Sequence, residues 1–478
     1  MYEPVIGLEV HLQLKTKSKL FCGCSTKFGA SANTLVCPVC LGLPGCLPVL
    51  NKGAVSLAII SALALNCKIN NLSRFHRKNY FYPDLPKAYQ ISQYDEPLAI
   101  DGFLEIDGKK IGIIRVHLEE DAGKLIHKED YSLIDFNRCG IPLIEVVSCP
   151  EIRSPKEAGQ YLTALKAIFE YIEASDCNME EGSLRCDANV SIRKRGEGLG
   201  TKVEIKNMNS FKGVEKALSY EIERQVKLLE NNEKIIQETR LWDEKKEVTL
   251  SMRQKEEAHD YRYFPEPDLL PLVIDNSLIE ELKREIPELP SDKKKRFVSE
   301  YCLSPYDAEV LISSKEIAGF FEETLKYYNN PKIVSNWITT EVLSLVSPDK
   351  INDSLIKPNL LAKMLIMREK GEISGKIGKE LIVEIFNTGK DPEKIVKEKG
   401  LIQIKDEESL IRVIDEVLKE NLKAVSEYKQ GKEKALGFLV GALMKKTKGR
   451  ANPELANRLL KERIGLQIYS IFHYLVQK

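Results

Sequence analysis

Two adjoining stretches carry side chains that could do chemistry together: Arg185-Cys186-Asp187-Ala188-Asn189-Val190-Ser191-Ile192 and, after a glycine-rich turn, Lys202-Val203-Glu204-Ile205-Lys206-Asn207. Read with a period of two, they form a hairpin in which Ala188, Val190, Ile192, Val203 and Ile205 share one face and Asp187, Asn189, Ser191, Glu204 and Lys206 share the other. The same alternation appears near the start, where Leu8, Val10, Leu12 and Leu14 interleave with Glu9, His11 and Gln13, and a fourth strand candidate, Ile111 to Asp121, ends in Glu119-Glu120-Asp121. Carboxylates and an imidazole gathered on one sheet face repel unless something cationic sits among them. Hard oxygen ligands with a single His suit Mg2+, which keeps waters and bridges substrate phosphates in phosphoryl-transfer sites. The plainer reading is a half-buried antiparallel sheet that turns its polar side to water. Recurrence across strands favours a ligand, because the outward residues are mostly acids rather than Thr, Lys and Ser.

A second chemistry lies in Cys22-Gly23-Cys24 and Cys37-Pro38-Val39-Cys40, two close pairs with knuckle-like spacing for a tetrahedral zinc site. Four protein ligands leave no open position, so the expected role is structural. Cys46 is near enough to substitute for one of them, and the alternative is a set of reduced thiols. Bases and aromatics crowd Arg74 to Gln90, which can stack on nucleobases or pack as core rings; Pro83 and Pro86 predict an ordered, non-helical loop. Asp260 to Asp268 reads as a rigid extended segment that either closes a site with Arg262 or packs its rings. Between Gln430 and Ile464, nine Lys and Arg face three Glu, either a solvated helix face or a sequence-blind grip on RNA phosphates.

These groups must be positioned by a chain of 478 residues, long enough for several cores. Its 71 basic and 71 acidic side chains cancel, so any nucleic-acid binding must come from local patches. Nothing near Met1 resembles a secretory signal, and the most apolar run, Gly53 to Cys67, is too short for a bilayer and predicts a buried helix. Eleven cysteines without an export signal point to a reducing cytoplasm. Ser154-Pro155-Lys156-Glu157 opens a helix expected to run to about Glu173, and another is expected over Phe211 to Glu230. After Pro287-Glu288-Leu289-Pro290 the strand-like alternation gives way to helical spacing. The expected class is therefore α+β, with a sheet domain over 1–290, a helical domain over 291–405 and a small helical tail over 406–478.

Five strings occur in order: Ile6 to His11, Arg77 to Asp84, Glu119 to Lys124, Met179 to Asp187 and Asp260 to Asp268, with the tail signature Gly437-Phe438-Leu439-Val440-Gly441. Together they resemble the B-subunit family of the aspartyl/glutamyl-tRNA amidotransferases, over essentially the whole chain. That resemblance implies an antiparallel cradle similar to the glutamine synthetase catalytic fold, and a tail that contacts tRNA. It implies activation by ATP of the side-chain carboxylate of Glu on tRNA(Gln) or Asp on tRNA(Asn), then amidation with ammonia. A partner amidase (glutaminase) makes the ammonia, and a small third chain holds the pair together as a heterotrimer in the cytoplasm, with no membrane involved.

Under that implied chemistry, a carboxylate resists attack by ammonia until phosphorylation makes it an acyl phosphate, and phosphoryl transfer asks mainly for positioning and charge neutralisation. Glu9, His11, Glu120, Asp187 and Glu204 are the expected Mg2+ ligands, with Glu119 and Glu145 as supporting or alternative ones. Lys206, Lys78 and Arg185 would offset developing phosphate charge, Asn189 would join Lys78 and Arg185 on the nucleotide, and Lys445, Lys446, Lys448 and Arg450 would hold tRNA. Ser148-Cys149-Pro150-Glu151 stands where the family usually has Ser-Glu-Pro-Asp, which speaks against an essential acid at position 149. The four cysteines occur only in some members, so zinc is not expected to serve the chemistry. Two other readings compete: a zinc-knuckle RNA-binding scaffold without catalysis, and a free-standing ligase of glutamine synthetase type.

Overall fold

The computed structural model describes every residue except 1, 255–260, 402–406, 448–449 and 477–478, and the backbone alone at 253–254, 453 and 466–476. Two compact units, residues 1–290 and 291–478, divide the chain. In the first, the elements run β1 (Tyr2–Gln13), α1 (Lys52–Ala64), β2 (Lys68–Ile69), β3 (Leu72–Ser73), β4 (Phe75–Asn79), β5 (Tyr89–Gln93), β6 (Ala99–Ile106), β7 (Lys109–Glu120), β8 (Lys124–His127), β9 (Ser132–Asp135), β10 (Pro142–Ser148) and α2 (Pro155–Tyr171). Then follow β11 (Leu184–Lys194), β12 (Val203–Lys206), α3 (Phe211–Glu230), β13 (Glu238–Asp243), β14 (Val248–Gln254), β15 (Phe264–Pro265), β16 (Leu272–Val273) and α4 (Asn276–Arg284).

Nine of these strands form one sheet in the order β14-β13-β12-β11-β1-β10-β7-β6-β2. Neighbours are antiparallel except β12 and β13, which are parallel because α3 carries the chain back across the sheet between them. The alternation read from sequence is the one observed. Ile6, Leu8, Val10 and Leu12 of β1, with Ala188 and Val190 of β11 and Ile205 of β12, are buried in one core with the apolar sides of α1, α2 and α3. Burying each such Leu, Ile or Val contributes about 1.5–3 kcal/mol, which is what commits this face to the helices and leaves the other to the polar residues.

The helix starts follow local chemistry. Asn51 caps α1 by accepting from the Ala54 N–H, and Ser154 caps α2 by accepting from Glu157. The uncharged Gly53 to Cys67 run is α1 and its turn, and Gly102 of β6 lies so near it that a Cβ there would meet Cys67 Sγ at 2.2 Å. Arg74 to Gln90 departs from the expected loop: β4 and β5 pair along it, Asn79 opposite Tyr89, and only the stretch holding both prolines turns. Proline disrupts ladders locally, so it marked the turn and not the strands that flank it.

In the second unit, helices from Pro305–Leu311 to Pro392–Lys399 enclose Phe321, Trp337, Ile338, Leu361 and Leu381. A separate core, with Leu410, Ile414, Leu439, Leu443 and Leu460, lies among Glu407–Glu420, Leu422–Lys429, Lys434–Lys446 and Pro453–Val476. Among the described residues, no helix is long and apolar enough to cross a membrane.

Candidate active site

Strand register assembles the polar face. His11 on β1 lies opposite Arg185 on β11 and Glu145 on β10, Glu145 lies opposite His117 on β7, and Glu9 lies opposite Asp187. One pair further on, Asn189 lies opposite Glu204. A one-residue slip of any of these strands would turn its whole set into the core.

Two groups stand out along this row. In the first, His11 Nε2 is 3.3 Å from Glu145 Oε2 and 3.7 Å from Glu119 Oε1, and the ligand atoms of these three residues lie within 4.8 Å of one another. His117 Nε2 stands 3.1 Å from Glu145 Oε2 and 3.6 Å from Glu119 Oε2. Ser92 Oγ donates to Glu119 Oε2 at 3.2 Å. Burial opposes charge on both imidazoles, yet Glu145 and Glu119 outweigh it: His11 is raised, with help from Asp187, and His117 is pushed up to about 9. Burial also disfavours the charged carboxylates, but His117 and His11 hold Glu145 well below the usual range and lower Glu119 as well.

Mg2+ takes donors at about 2.1 Å, which places cis donors roughly 3 Å apart and trans donors about 4.2 Å apart. The distances from His11 Nε2 to Glu145 and Glu119, 3.3 and 3.7 Å, fall within that range.

The second group already has its cation. Lys206 pairs with Asp187 and lies 3.5 Å from Glu204 Oε1, while Thr239 donates to Glu204 Oε2 at 2.8 Å and Asn189 donates to Glu9 Oε1 at 2.9 Å. Burial opposes the Lys206 charge, but Asp187 and Glu204 more than restore it and its pKa rises. Lys78 is half-buried with its ammonium 4.9 Å from the Tyr261 ring centre, and Tyr263 and Glu119 hold its pKa up against the cost of desolvation.

The other expected site residues are placed as follows. Glu120 projects to the opposite side of β7 from Glu119, where Lys87 pairs with it and the Ile91 N–H donates to it at 2.9 Å. Arg185 donates to Asp121 Oδ1 at 2.9 Å. Tyr263 stacks on Tyr94 and Tyr261 packs edge-on against Tyr80, so the rings of that segment are packed while Arg262 is exposed; Asp260 lies outside the described residues. The sulfurs of Cys22, Cys24, Cys37 and Cys40 lie within 4.8 Å of one another, consistent with S···S edges of about 3.8 Å around a tetrahedral Zn2+. A hydrogen bond with Cys22, the Cys37 N–H and the nearby Lys19 ammonium lower the Cys40 thiol against burial. In the tail, Lys445 is exposed, Lys446 pairs with Glu416 and Glu420, and Arg450 donates to the Thr447 and Gly400 carbonyls; Lys448 lies outside the described residues.

Sequence reasoning missed His117 and Ser92 as neighbours of the site. For His117 the signal was available, since it shares the period-two face of Glu119 on β7. Ser92 comes from a different sheet, and no local pattern announces it.

The family model described as the GatB/GatE catalytic domain matches residues 4–280, and the one described as the GatB domain matches residues 319–464. The chain is 60% identical over 476 residues to the B subunit of the aspartyl/glutamyl-tRNA(Asn/Gln) amidotransferase of Carboxydothermus hydrogenoformans, covering 97% of this chain and 99% of the relative. To the protein of the same name in Thermoanaerobacter sp. it is 58% identical over 472 residues, covering 97% and 99%. The Thermodesulfovibrio yellowstonii protein of that name is 56% identical over 467 residues, covering 96% and 98%. A match to a catalytic domain across the whole sheet unit leaves the scaffold reading unsupported. With identity of this order maintained along nearly the full length of each relative, the chain belongs to the GatB family of amidotransferase B subunits.

Proposed function

We propose that this chain is the carboxylate-activating member of a tRNA-dependent amidotransferase. It takes the γ-phosphoryl group of ATP onto the side-chain carboxylate of Glu on tRNA(Gln), Asp on tRNA(Asn), or both. Ammonia nitrogen then bonds to the carbonyl carbon, phosphate leaves, and Gln-tRNA(Gln) or Asn-tRNA(Asn) results. The name shared by the relatives supports the substrates, since it specifies an aspartyl/glutamyl-tRNA(Asn/Gln) amidotransferase, and their being named as one of its subunits supports partners: an amidase that releases ammonia from glutamine and a small third chain.

The observation that carries the chemistry is the convergence of His11, Glu119 and Glu145 on one sheet face beside the Asp187–Lys206 pair. Mg2+ bound by these three residues supplies neutralisation for the nucleotide phosphates. Glu9, Asp187 and Glu204 extend the acidic row, and Asn189 orients Glu9. Lys206, Lys78 and Arg185 bring fixed positive charge to the same face, aimed at negative charge that develops during transfer. Lys78 is held in place beneath Tyr261.

Cys22, Cys24, Cys37 and Cys40 hold a structural Zn2+ that clips a segment with almost no regular structure. Residues 1–290 form the catalytic domain, 291–405 a helical domain and 406–478 a tail. Lys445, Lys446, Lys448 and Arg450 of the tail contact tRNA phosphates. The reaction belongs to the cytoplasm, with translation.

The test is reconstitution with the amidase and the small third chain, Glu-tRNA(Gln), ATP and glutamine. Charged-tRNA-dependent release of ADP together with Gln-tRNA formation is expected, and both should fall by about 10²–10³-fold in Glu145→Gln. Normal amidation by that variant would remove the cation role, and turnover of free glutamate without tRNA would replace the reading with that of a small-molecule ligase.

A further inference from the structure

Glu145 stands between two imidazoles, His11 on one flanking strand and His117 on the other, each directly opposite it in register. The two rings do different things. His11 belongs to the set of ligand atoms that lie within 4.8 Å of one another, and His117 does not join it. The His117 ring is nonetheless buried, 3% exposed, and its Nδ1 has no hydrogen-bond partner among the described residues. Its polar engagement runs through Nε2, at 3.1 Å from Glu145 Oε2 and 3.6 Å from Glu119 Oε2. A ring needed only to fill space would be apolar here, since the buried nitrogen gains nothing from its surroundings. Ser92 approaches the same Glu119 Oε2 from β5, so that oxygen is held from behind while Oε1 faces His11.

We propose that His117 is a positioning residue for the divalent-cation site, its Nε2–H holding the Glu145 and Glu119 carboxylates at the spacing a cation requires. The proposal rests on the reading of His11, Glu119 and Glu145 as that site. Donors that sit behind metal-binding side chains typically change metal affinity 10–100-fold when removed, because they set the direction of the ligand lone pairs. The ring acts through the carboxylates and contacts no reacting atom.

The experiment measures binding directly, without nucleotide or tRNA. The full chain, assembled with its partner chains, is titrated with Mn2+ and free Mn2+ is read by electron paramagnetic resonance. Wild type is expected to bind, and Glu145→Gln to lose that binding. His117→Leu should weaken Mn2+ affinity by about 10–100-fold. His117→Gln, whose amide N–H reaches towards the same carboxylate, should stay within about threefold of wild type, reflecting a donor retained. In the amidation assay, His117→Leu should raise the half-saturating Mg2+ by the same factor, with kcat recovering at saturating Mg2+. If His117→Leu does not fold, His117→Asn, too short to reach Glu145, takes its place. Wild-type affinity in the Leu or Asn variant overturns the role of His117, as does a Gln variant no better than Leu. Absence of Mn2+ binding in the wild type overturns instead the cation reading beneath it.

Discussion

Two buried carboxylate clusters in the sheet unit are closed in opposite ways. Glu221 of α3 is wholly buried, yet both its oxygens are satisfied: Arg224 donates to them at 2.6 and 2.9 Å, Gln225 at 3.0 Å and Thr249 at 2.9 Å, with Arg240 at 3.5 Å. Among the described residues, Glu145 and Glu119 have imidazoles at 3.1–3.7 Å and one hydroxyl, and neither is paired with a guanidinium. A planar guanidinium fork is a tight, permanent counter-charge for a carboxylate, and at Glu221 the Gln225 amide and Thr249 hydroxyl take up lone pairs that the fork leaves. Where the chain needs a fixed structure it supplies the Arg itself. At the proposed cation site the acids are held instead by imidazoles and a hydroxyl, which are weaker partners.

That contrast can be broken most sharply at Glu221. Glu221→Ala leaves Arg224 and Arg240 without their buried partner and should cost about 3–5 kcal/mol of stability. The half-saturating Mg2+ of the folded enzyme should stay unchanged; a denaturant midpoint equal to that of wild type would dissolve the distinction. At the open cluster, Glu145→Gln should lower charged-tRNA-dependent ATP turnover by about 10²–10³-fold, the size of losing one preorganised electrostatic contact. Steady-state ADP release measures it, and loss confined to stability would place Glu145 with Glu221.

Asp121 offers an intermediate case, closed by Arg185 and Arg138 and by Gln13. Burial alone would raise its pKa, but the two guanidinium groups more than offset that and depress it. A depressed folded-state pKa contributes stability that is present above the unfolded carboxylate value, near 3.9, and is lost as pH falls through the folded value. Asp121→Asn should therefore be destabilised at neutral pH, with the gap to wild type closing below about pH 4 in pH-dependent urea melts. The smallest effect is expected in the tail, where the same contrast holds for lysines. Lys446 is paired with Glu416 and Glu420, whereas Lys445 makes no ion pair among the described residues. Lys445→Glu should weaken tRNA binding and lower its salt slope by about 1, more than Lys446→Gln does, as filter binding across a salt series would show.

Much of this was legible in order along the chain. Alternation told which face of β1, β11 and β12 is apolar, and Ser154 marks a helix start that the structure shows as a cap. The string Glu119-Glu120-Asp121 was less transparent. It reads as one acidic cluster, but the pleat sends Glu120 to Lys87 and leaves Glu119 with His11. The strands at Phe75–Asn79 and Tyr89–Gln93 were hidden because proline and aromatic crowding between them reads as loop.

By itself, the sequence determined the two-faced strands, the helical second half, the four-cysteine set and the family to which the chain belongs. Only the tertiary structure decided which acids keep company: β1 lies between β10 and β11, strands more than a hundred residues away, and that placement brings Glu145 to His11 and Asp187 to Glu9. The physical reason is that a period of two is a local property of the backbone, whereas neighbour and register are set by the burial of the opposite face against α1, α2 and α3.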